Sequence, residues 1–425
     1  MEMMSKGPGE TGAVWVALKV PDGHVTAHAN QARIRTWDHE SPDAMFAPDV
    51  VTFAQRKGLY PADADPKRFS FSDAYDPVTF EGARFCEARV WSFFGSEDVL
   101  GKVFADQYED YIRGYNLTNR MPVFVKPRSK LSLNATFWHF RNHYEGTALE
   151  QRNDVGAGAF RSAYRYSPLT FKSGGAEYVN ERAISVQATA WHFTAHVRPH
   201  LPPPVRGVLW FGVDDTKHAL NVPWYSGTTR VPLSWLGLDC MGRSACRRER
   251  GLPGTITEHS FEAAHWVFNM VSNYAYTRYD RINPVVARKL AETESAWMTE
   301  VAGIDKAAAE LYKSDPAAAA AMVTQFSYDT GARAVKDWLA FWQHLFTTFV
   351  DGEETQADAS NAVCACAKNA AGYGQQWYDR IANETGDKYK VPSSVAAERD
   401  AAAPRTLSKA RMLGQSRRAG GTLRS

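Results

Sequence analysis

Past residue 255 the apolar residues of this 425-residue chain change their spacing. That change limits the fold more than any other feature. Residues 259–279, 285–312 and 316–350 carry apolar side chains three and four apart, the spacing of a buried helix face. Asp315-Pro316 predicts a helix start, because proline at the first helical position gives up an amide that has no partner there anyway. Before residue 255 the period is shorter. Residues 13–20 are dense in Val, Trp and Leu, Pro21-Asp22-Gly23 offers a turn, and residues 24–34 alternate past Asn30, which predicts a hairpin. Residues 183–198 alternate as well (Ile184, Val186, Ala188, Ala190, then Phe193, Ala195, Val197), and residues 207–213 form a short apolar run. Leu201-Pro202-Pro203-Pro204 fits a corner between those two strands. Pro- and Asp-rich connections over 42–77 hold one helical piece at 50–57. Residues 84–94 read as a helix burying Phe85, Ala88, Val90 and Trp91. Strands first and helices after define an α+β chain.

Composition excludes little but does set limits. Lys plus Arg number 49 and Asp plus Glu 47, a net charge of +2 that gives no general attraction to nucleic acid or membrane. No run approaches the roughly 18 to 20 apolar residues of a membrane span. The opening Met1-Glu2-Met3-Met4-Ser5-Lys6-Gly7-Pro8-Gly9 puts a charge and a turn where a secretory signal needs an apolar core. Five cysteines, an odd count, predict no disulfide framework but reduced thiols in a cytoplasmic protein. The Asn-x-Ser/Thr triplets at Asn116, Asn134 and Asn383 matter only in a secretory compartment. Residues 239–258 read as an inserted loop. Residues 393–425 read as a disordered tail with Arg405, Lys409, Arg411, Arg417, Arg418 and Arg424 and no acid from residue 401 onward; such a tail also suits contact with nucleic acid or an anionic membrane.

Generic catalytic motifs are absent. His139 and His143 are four apart, as are His192 and His196, but Phe140 and Phe193 stand where a zinc protease helix carries Glu, so no metal site is expected. Cys364-Ala365-Cys366 is too closely spaced for a zinc or redox pair and reads as surface thiols. Cys86 reads as a small buried hydrophobe, with a papain-like nucleophile as the alternative.

Longer segments carry a family signal. They are Met3-Met4-Ser5-Lys6-Gly7-Pro8-Gly9-Glu10, Ala13-Val14-Trp15-Val16-Ala17, His28-Ala29-Asn30-Gln31-Ala32-Arg33-Ile34 and Phe71-Ser72-Asp73-Ala74-Tyr75. Arg84-Phe85-Cys86-Glu87-Ala88-Arg89-Val90-Trp91, Asn119-Arg120-Met121-Pro122, His143-Tyr144-Glu145-Gly146-Thr147, Asp154-Val155-Gly156-Ala157-Gly158, Glu181-Arg182-Ala183-Ile184-Ser185 and Leu209-Trp210-Phe211-Gly212-Val213-Asp214-Asp215 follow in order. Together they resemble the cysteine dipeptidases of the dipeptidase D type. These are N-terminal nucleophile hydrolases related to penicillin V acylase and bile salt hydrolase.

The resemblance implies a four-layer αββα sandwich, a dipeptide substrate and no cofactor or metal. It implies a catalytic cysteine at the mature N-terminus whose own α-amine activates the thiol. Here Met1 has no ionisable thiol, and the expectation is a chain truncated within the family's first sheet. The implied map is a partial hydrolase domain over 1–238, the loop over 239–258, a helical C-terminal region of the same family over 259–392, and the tail over 393–425. Unpaired sheet neighbours make a homo-oligomer an expectation too. An inactive remnant that binds peptides or partners is the alternative to a working dipeptidase.

The resemblance also points to site residues. Asn30 matches an oxyanion donor, the alternative being an Asn that closes a strand. Arg84 matches a catalytic-site arginine, or else pairs with Glu87 or Glu81. Arg33 would hold the substrate carboxylate, since Arg binds a carboxylate through two parallel bonds. Arg89 would contact substrate or pair with Glu145. Asp214, beside Asp215, would bind the substrate α-amine or cap the end of a strand.

Overall fold

A computed structural model describes residues 1–236, 254–393 and 395. Most of the expected inserted loop, and all of the tail but Ser393 and Val395, lie outside the described residues. The chain forms two compact units, Met1–Ala371 and Gly372–Ser425.

The first unit opens with a three-stranded antiparallel sheet, β1 (Glu2–Ser5), β2 (Ala13–Leu18) and β3 (Ala44–Phe46), in the order β1-β2-β3. Val14 and Val16 of β2 point inward at 0% exposure, alternating with the outer face as a strand must. They pack with Phe53 of α1 (Val50–Arg56) and with Phe71 and Tyr75 of α2 (Phe71–Tyr75).

The expected strand over residues 24–34 does not form. Only an isolated bridge between Val25 and Val125 marks it. Asn30 has φ 68, a left-handed turn that breaks any ladder. The buried Glu2 carboxylate, accepting from the amides of Arg33 and Ile34, replaces the strand partner.

The helix expected over residues 84–94 forms with an irregular start. Gly82–Glu87 is a π turn that runs into α3 (Ala88–Phe94), and Ala88, Val90 and Trp91 are buried as read. Helices α4 (Lys102–Ile112) and α5 (Leu133–Phe140) follow, then the hairpin β4 (Thr170–Ser173) with β5 (Ala176–Val179). Because α5 ends at Phe140, His139 and His143 do not share a helical face.

A second three-stranded sheet holds β6 (Trp191–Val197), β7 (Gly207–Val213) and β8 (Val222–Tyr225), all antiparallel. Pro202 to Val205 makes the expected corner. Residues 183–190 are irregular rather than strand. The facing of β6 also differs from the alternation reading. Trp191, Phe193 and Val197 face outward at 57%, 44% and 70% exposure, while His192 is buried. The His192 ring lies against Gly212, where an added Cβ would come within 2.4 Å of it, so only glycine lets the strands pair with that ring inside.

The helical period after residue 255 holds. Helix α6 (Ala264–Thr277), α7 (Tyr279–Leu311) and α8 (Pro316–Phe349) pack on β7 and β8 in one core. Asp315 caps α8, its carboxylate accepting from the Ala318 amide at 2.9 Å. Helix α7 begins before Pro284 rather than after it. Near the N-terminal end, proline removes a single i→i−4 bond. Gly331 of α8 rests on the Trp224 indole, where a Cβ would meet the ring at 2.2 Å. The hairpin β9 (Glu354–Ala357) and β10 (Cys366–Asn369) closes this unit. There Cys364 and Cys366 form a disulfide with Cα atoms 5.1 Å apart, correcting the surface-thiol reading. Ala365, at φ 50, folds the backbone so that the two meet. In the second unit, α9 (Gln375–Thr385) is braced by an Arg380–Glu384 pair. No helix among the described residues is long and apolar enough to cross a membrane.

Ile282, Val286, Leu290, Trp297 and Val301 form the buried stripe of α7, and Glu294 occupies a place in the same stripe. Its carboxylate accepts two bonds from Arg141, at 2.6 and 2.9 Å, plus the amide and side chain of Asn221 at 2.9 Å each. Both partners are 1% exposed. Glu294→Ala should therefore cost about 3–5 kcal/mol in denaturant unfolding, because it strands a buried guanidinium. The double replacement Arg141→Met with Glu294→Leu should cost clearly less than the single one.

Candidate active site

The π turn and the first turn of α3 send Glu87, Arg84 and Arg89 in different directions. Glu87 points inward and meets Arg33, with Nε–Oε1 at 3.1 Å, while Tyr111 donates to Glu87 at 3.0 Å. Arg33 also donates to the Ala27 and Pro122 carbonyls at 3.0 and 2.9 Å and lies over the Phe94 ring. Arg33 is 3% exposed and each of its three guanidinium nitrogens already has an acceptor, so it is not presented to a substrate carboxylate. The expectation that it binds one is corrected: Arg33 anchors the core.

Arg84 closes on Glu181 at 2.5 Å and donates to the Val179 carbonyl at 3.2 Å. It thus forms a salt bridge, with Glu181 rather than Glu87 or Glu81. Arg89 pairs with Asn30 and not with Glu145. Its Nε donates to the Phe85 carbonyl at 2.7 Å, and its Nη2 donates to the Ala29 carbonyl and to Asn30 Oδ1, both at 3.0 Å. A guanidinium can only donate, so the Asn30 amide must turn its oxygen to Arg89 and leave Nδ2–H₂ pointing away. Burial pulls Arg89 down from the ordinary arginine value; nearby Cys86 opposes this and the Arg182 cation adds to it. Cys86 is half-buried and free, not the fully buried hydrophobe expected.

Asn30 follows Ala29 at the edge of a cleft of about 500 Å³. Its walls are mostly apolar (Val25, Ala27, Val90, Phe93, Leu131), with Thr26, His28, Arg89, Thr136 and His139 as polar points. His139 is fixed by Asp98, with Nε2 3.0 Å from Oδ2. Burial alone would raise the Asp98 carboxyl, but the Ser96 hydroxyl and His139 outweigh it and hold it below the usual range. A second, smaller cavity of about 210 Å³ includes His143, Arg165, Glu181 and Arg182. Successive residues of one wall segment line the two spaces, Glu181, Arg182 and Ala183 the small cavity and Ile184 the large one.

Behind that wall Asp215 is fully buried. It accepts from Ser185 and Tyr276 hydroxyls at 2.6 Å each and from the Lys217 amide at 3.0 Å. Burial opposes its charge, but His218 and these donors hold its carboxyl well below the usual range. Glu145 behaves likewise: burial opposes it, and His143 and Lys217 (2.6 Å) overcome burial.

Asp214 stands apart from both cavities. At φ 72 and 2% exposure it caps the end of β7, its Oδ1 accepting from Asn269 at 2.8 Å while Oδ2 has no partner. Burial pushes its carboxyl up to about 7, against the Asn269 bond. Among the described residues, no three His, Cys, Asp or Glu side chains are arranged to hold a metal.

Of the residues singled out from sequence, Asn30 and Arg89 come together. Arg33, Arg84 and Asp214 go elsewhere. Arg165 and Arg182 were not singled out; Arg182 stood inside a family segment, and nothing local marked Arg165.

Two outcomes follow from these contacts. Arg33→Met should lower unfolding stability by about 3–5 kcal/mol, because Glu87 is left buried and uncompensated. Asp214 holds its proton longer in the folded than in the unfolded state, so its contribution is full below about pH 4 and is lost as pH rises to about 7. Asp214→Asn should remove a stability difference on the order of 4 kcal/mol between those limits. Comparing parent and variant unfolding across pH isolates Asp214 from His192, which burial pushes down to about 4 and which works in the opposite direction.

Residues 1–292 match peptidase family C69. A probable dipeptidase of Salmonella dublin is 27% identical over 220 residues, covering 51% of this chain and 43% of that protein. A probable dipeptidase of Latilactobacillus sakei is 22% identical over 300 residues, covering 70% of this chain and 53% of that protein. Dipeptidase A of Lactobacillus helveticus is 19% identical over 225 residues, covering 52% and 40%. The chain spans about half the length of these relatives or somewhat less. With the family match running over more than half of its residues, the chain belongs to peptidase family C69.

Proposed function

We propose that the protein hydrolyses dipeptides as a thiol peptidase, with the scissile carbonyl held at Asn30. The observation that carries this reading is the Arg89–Asn30 bond. It orients the side-chain amide so that Nδ2–H₂ faces away from the guanidinium, next to a mainly apolar cleft. An amide donor fixed in advance stabilises a developing oxyanion more than a ground-state carbonyl, and that difference accelerates the reaction. The left-handed backbone at Asn30 fits this role, since unusual backbone angles persist where surrounding contacts over-determine them.

In this reading a cysteine thiolate attacks the carbonyl carbon. The C–N bond breaks as the leaving amine takes a proton, and water then hydrolyses the thioester. The family resemblance assigns the thiolate to an N-terminal cysteine and the proton transfer to its α-amine. Residues 1–425 are assigned the parts that hold and position substrate. Dipeptides as substrates are supported by the similar proteins being dipeptidases by name.

A second reading, peptide binding without turnover, rests on Cys86: the free cysteine among the described residues lines neither cavity. The N-terminal residue of the protein purified from its source, read by mass spectrometry, separates the two. An N-terminal cysteine with amino-acid release from a dipeptide panel supports hydrolysis. Dipeptide binding with no release supports the second reading.

In a hydrolysing preparation, Asn30→Ala should lower kcat by roughly 100- to 1,000-fold with little change in KM, as for a lost oxyanion donor. Steady-state rates on free dipeptides measure this. A variant with the parent's rate would remove Asn30 from the mechanism.

A further inference from the structure

A peptidase that takes dipeptides must recognise a free carboxylate, and the cation first expected to do so, Arg33, is buried with an acceptor on each guanidinium nitrogen. We infer that the cavity of about 210 Å³ lined by His143, Arg165 and Arg182 is the site for the substrate's C-terminal carboxylate. The inference rests on the dipeptidase reading and deepens it.

Three observations carry it. The Arg165 guanidinium is held along one edge only. Its Nε donates to Asn180 Oδ1 at 3.3 Å, and its Nη2 donates to the Gln151 carbonyl at 2.8 Å and to Asp154 at 2.5 Å. The other amino group, Nη1, is buried with no partner, and the side chain is only 9% exposed. A buried guanidinium N–H without an acceptor is costly, and a carboxylate in the cavity would satisfy it.

His143 repeats the pattern. It is 1% exposed, neither ring nitrogen makes a hydrogen bond, and Nδ1 is 3.8 Å from the Glu145 carboxylate. The third observation is Arg182. It is exposed at the cavity, and among the described residues it pairs with no carboxylate. The acid in the wall, Glu181, is already matched by Arg84 at 2.5 Å and so does not oppose an incoming anion.

Placement agrees with chemistry. Chain neighbours Ala183 and Ile184 line this cavity and the Asn30 cleft in turn, and the Arg182 charge is felt at Arg89, which holds Asn30. A dipeptide is short, so its carboxylate and scissile carbonyl have to be bound at neighbouring positions. Two cavities lined by consecutive residues meet that need.

The test is a binding comparison on the 425-residue protein with three probes: alanyl-alanine, its C-terminal amide, and N-acetylalanine. Affinity is read as Kd by calorimetry, or as KM where the dipeptide is turned over. The free acid should bind about 10- to 100-fold more tightly than the amide, the scale of a charge-assisted contact. Arg182→Gln should remove most of that difference while leaving the amide unchanged. Arg182 is exposed, so folding should survive; the acid-to-amide ratio in the unsubstituted protein is in any case a test that needs no variant.

Equal binding of acid and amide, or an equal loss of both in Arg182→Gln, would overturn the carboxylate site while leaving dipeptide hydrolysis at Asn30 intact. If N-acetylalanine binds in an Arg182-dependent way and alanyl-alanine does not, the cavity is an anion site but the dipeptide reading fails, and the assignment with it. Binding of none of the three overturns it outright.

Discussion

The buried pair of Arg141 and Glu294 ties the first half of the chain to the long helices, and much of the candidate site hangs from it. Arg141 follows α5; Glu294 sits in the apolar stripe of α7, 153 residues away. Desolvating two charges is expensive, and the pair is tenable because each remaining polar atom finds a partner. Arg141 also donates to the carbonyls of Thr216 and Ala219, and Asn221 adds two donors to Glu294. The segment joining β7 to β8 is thereby pinned between them. That segment contains Asp215, Lys217 and His218, and these in turn hold Ser185, Glu145 and the residues behind the cavity wall.

A second constraint works on a smaller scale. The π turn at Gly82–Glu87 inserts extra backbone ahead of α3, so closely spaced residues do not fall on one helical face. Glu87 goes to the core with Arg33, Arg84 goes to Glu181 beside the small cavity, and Arg89 goes to Asn30 beside the large one. One short stretch thus supplies a structural anchor, a charge neutraliser and a positioning group. A regular helix would have aligned Arg84 and Glu87 with α3 and separated these roles less.

How far the sequence could be read depended on whether the signal was local. The three helices after residue 255 were legible because each repeats its apolar period over many turns, and the Asp315 cap is a contact three residues long. The strand over residues 24–34 was misread because alternation alone does not provide a partner. Glu2 takes the amides of Arg33 and Ile34 instead. Strand β6 was read with its faces reversed. Its apolar residues face out because His192 fits only over Gly212, a condition on the neighbouring strand. Glu294 left a trace that could have been followed: a charge in an apolar stripe must have a partner, although nothing nearby names it.

By itself the sequence determined the α+β class, the helical second half and the family, because periods, caps and family segments are carried by residues close together in the chain. Only the tertiary structure decided which arginine does what. Arg33, Arg84, Arg89, Arg165 and Arg182 are chemically identical, and each takes its role from the acceptors that folding brings to it. Those acceptors lie as far apart in sequence as Glu87 from Arg33 and Glu181 from Arg84. Arg33 has an acceptor on each guanidinium nitrogen, whereas Nη1 of Arg165 is buried without one. That difference is set by packing between distant segments, which no local pattern records.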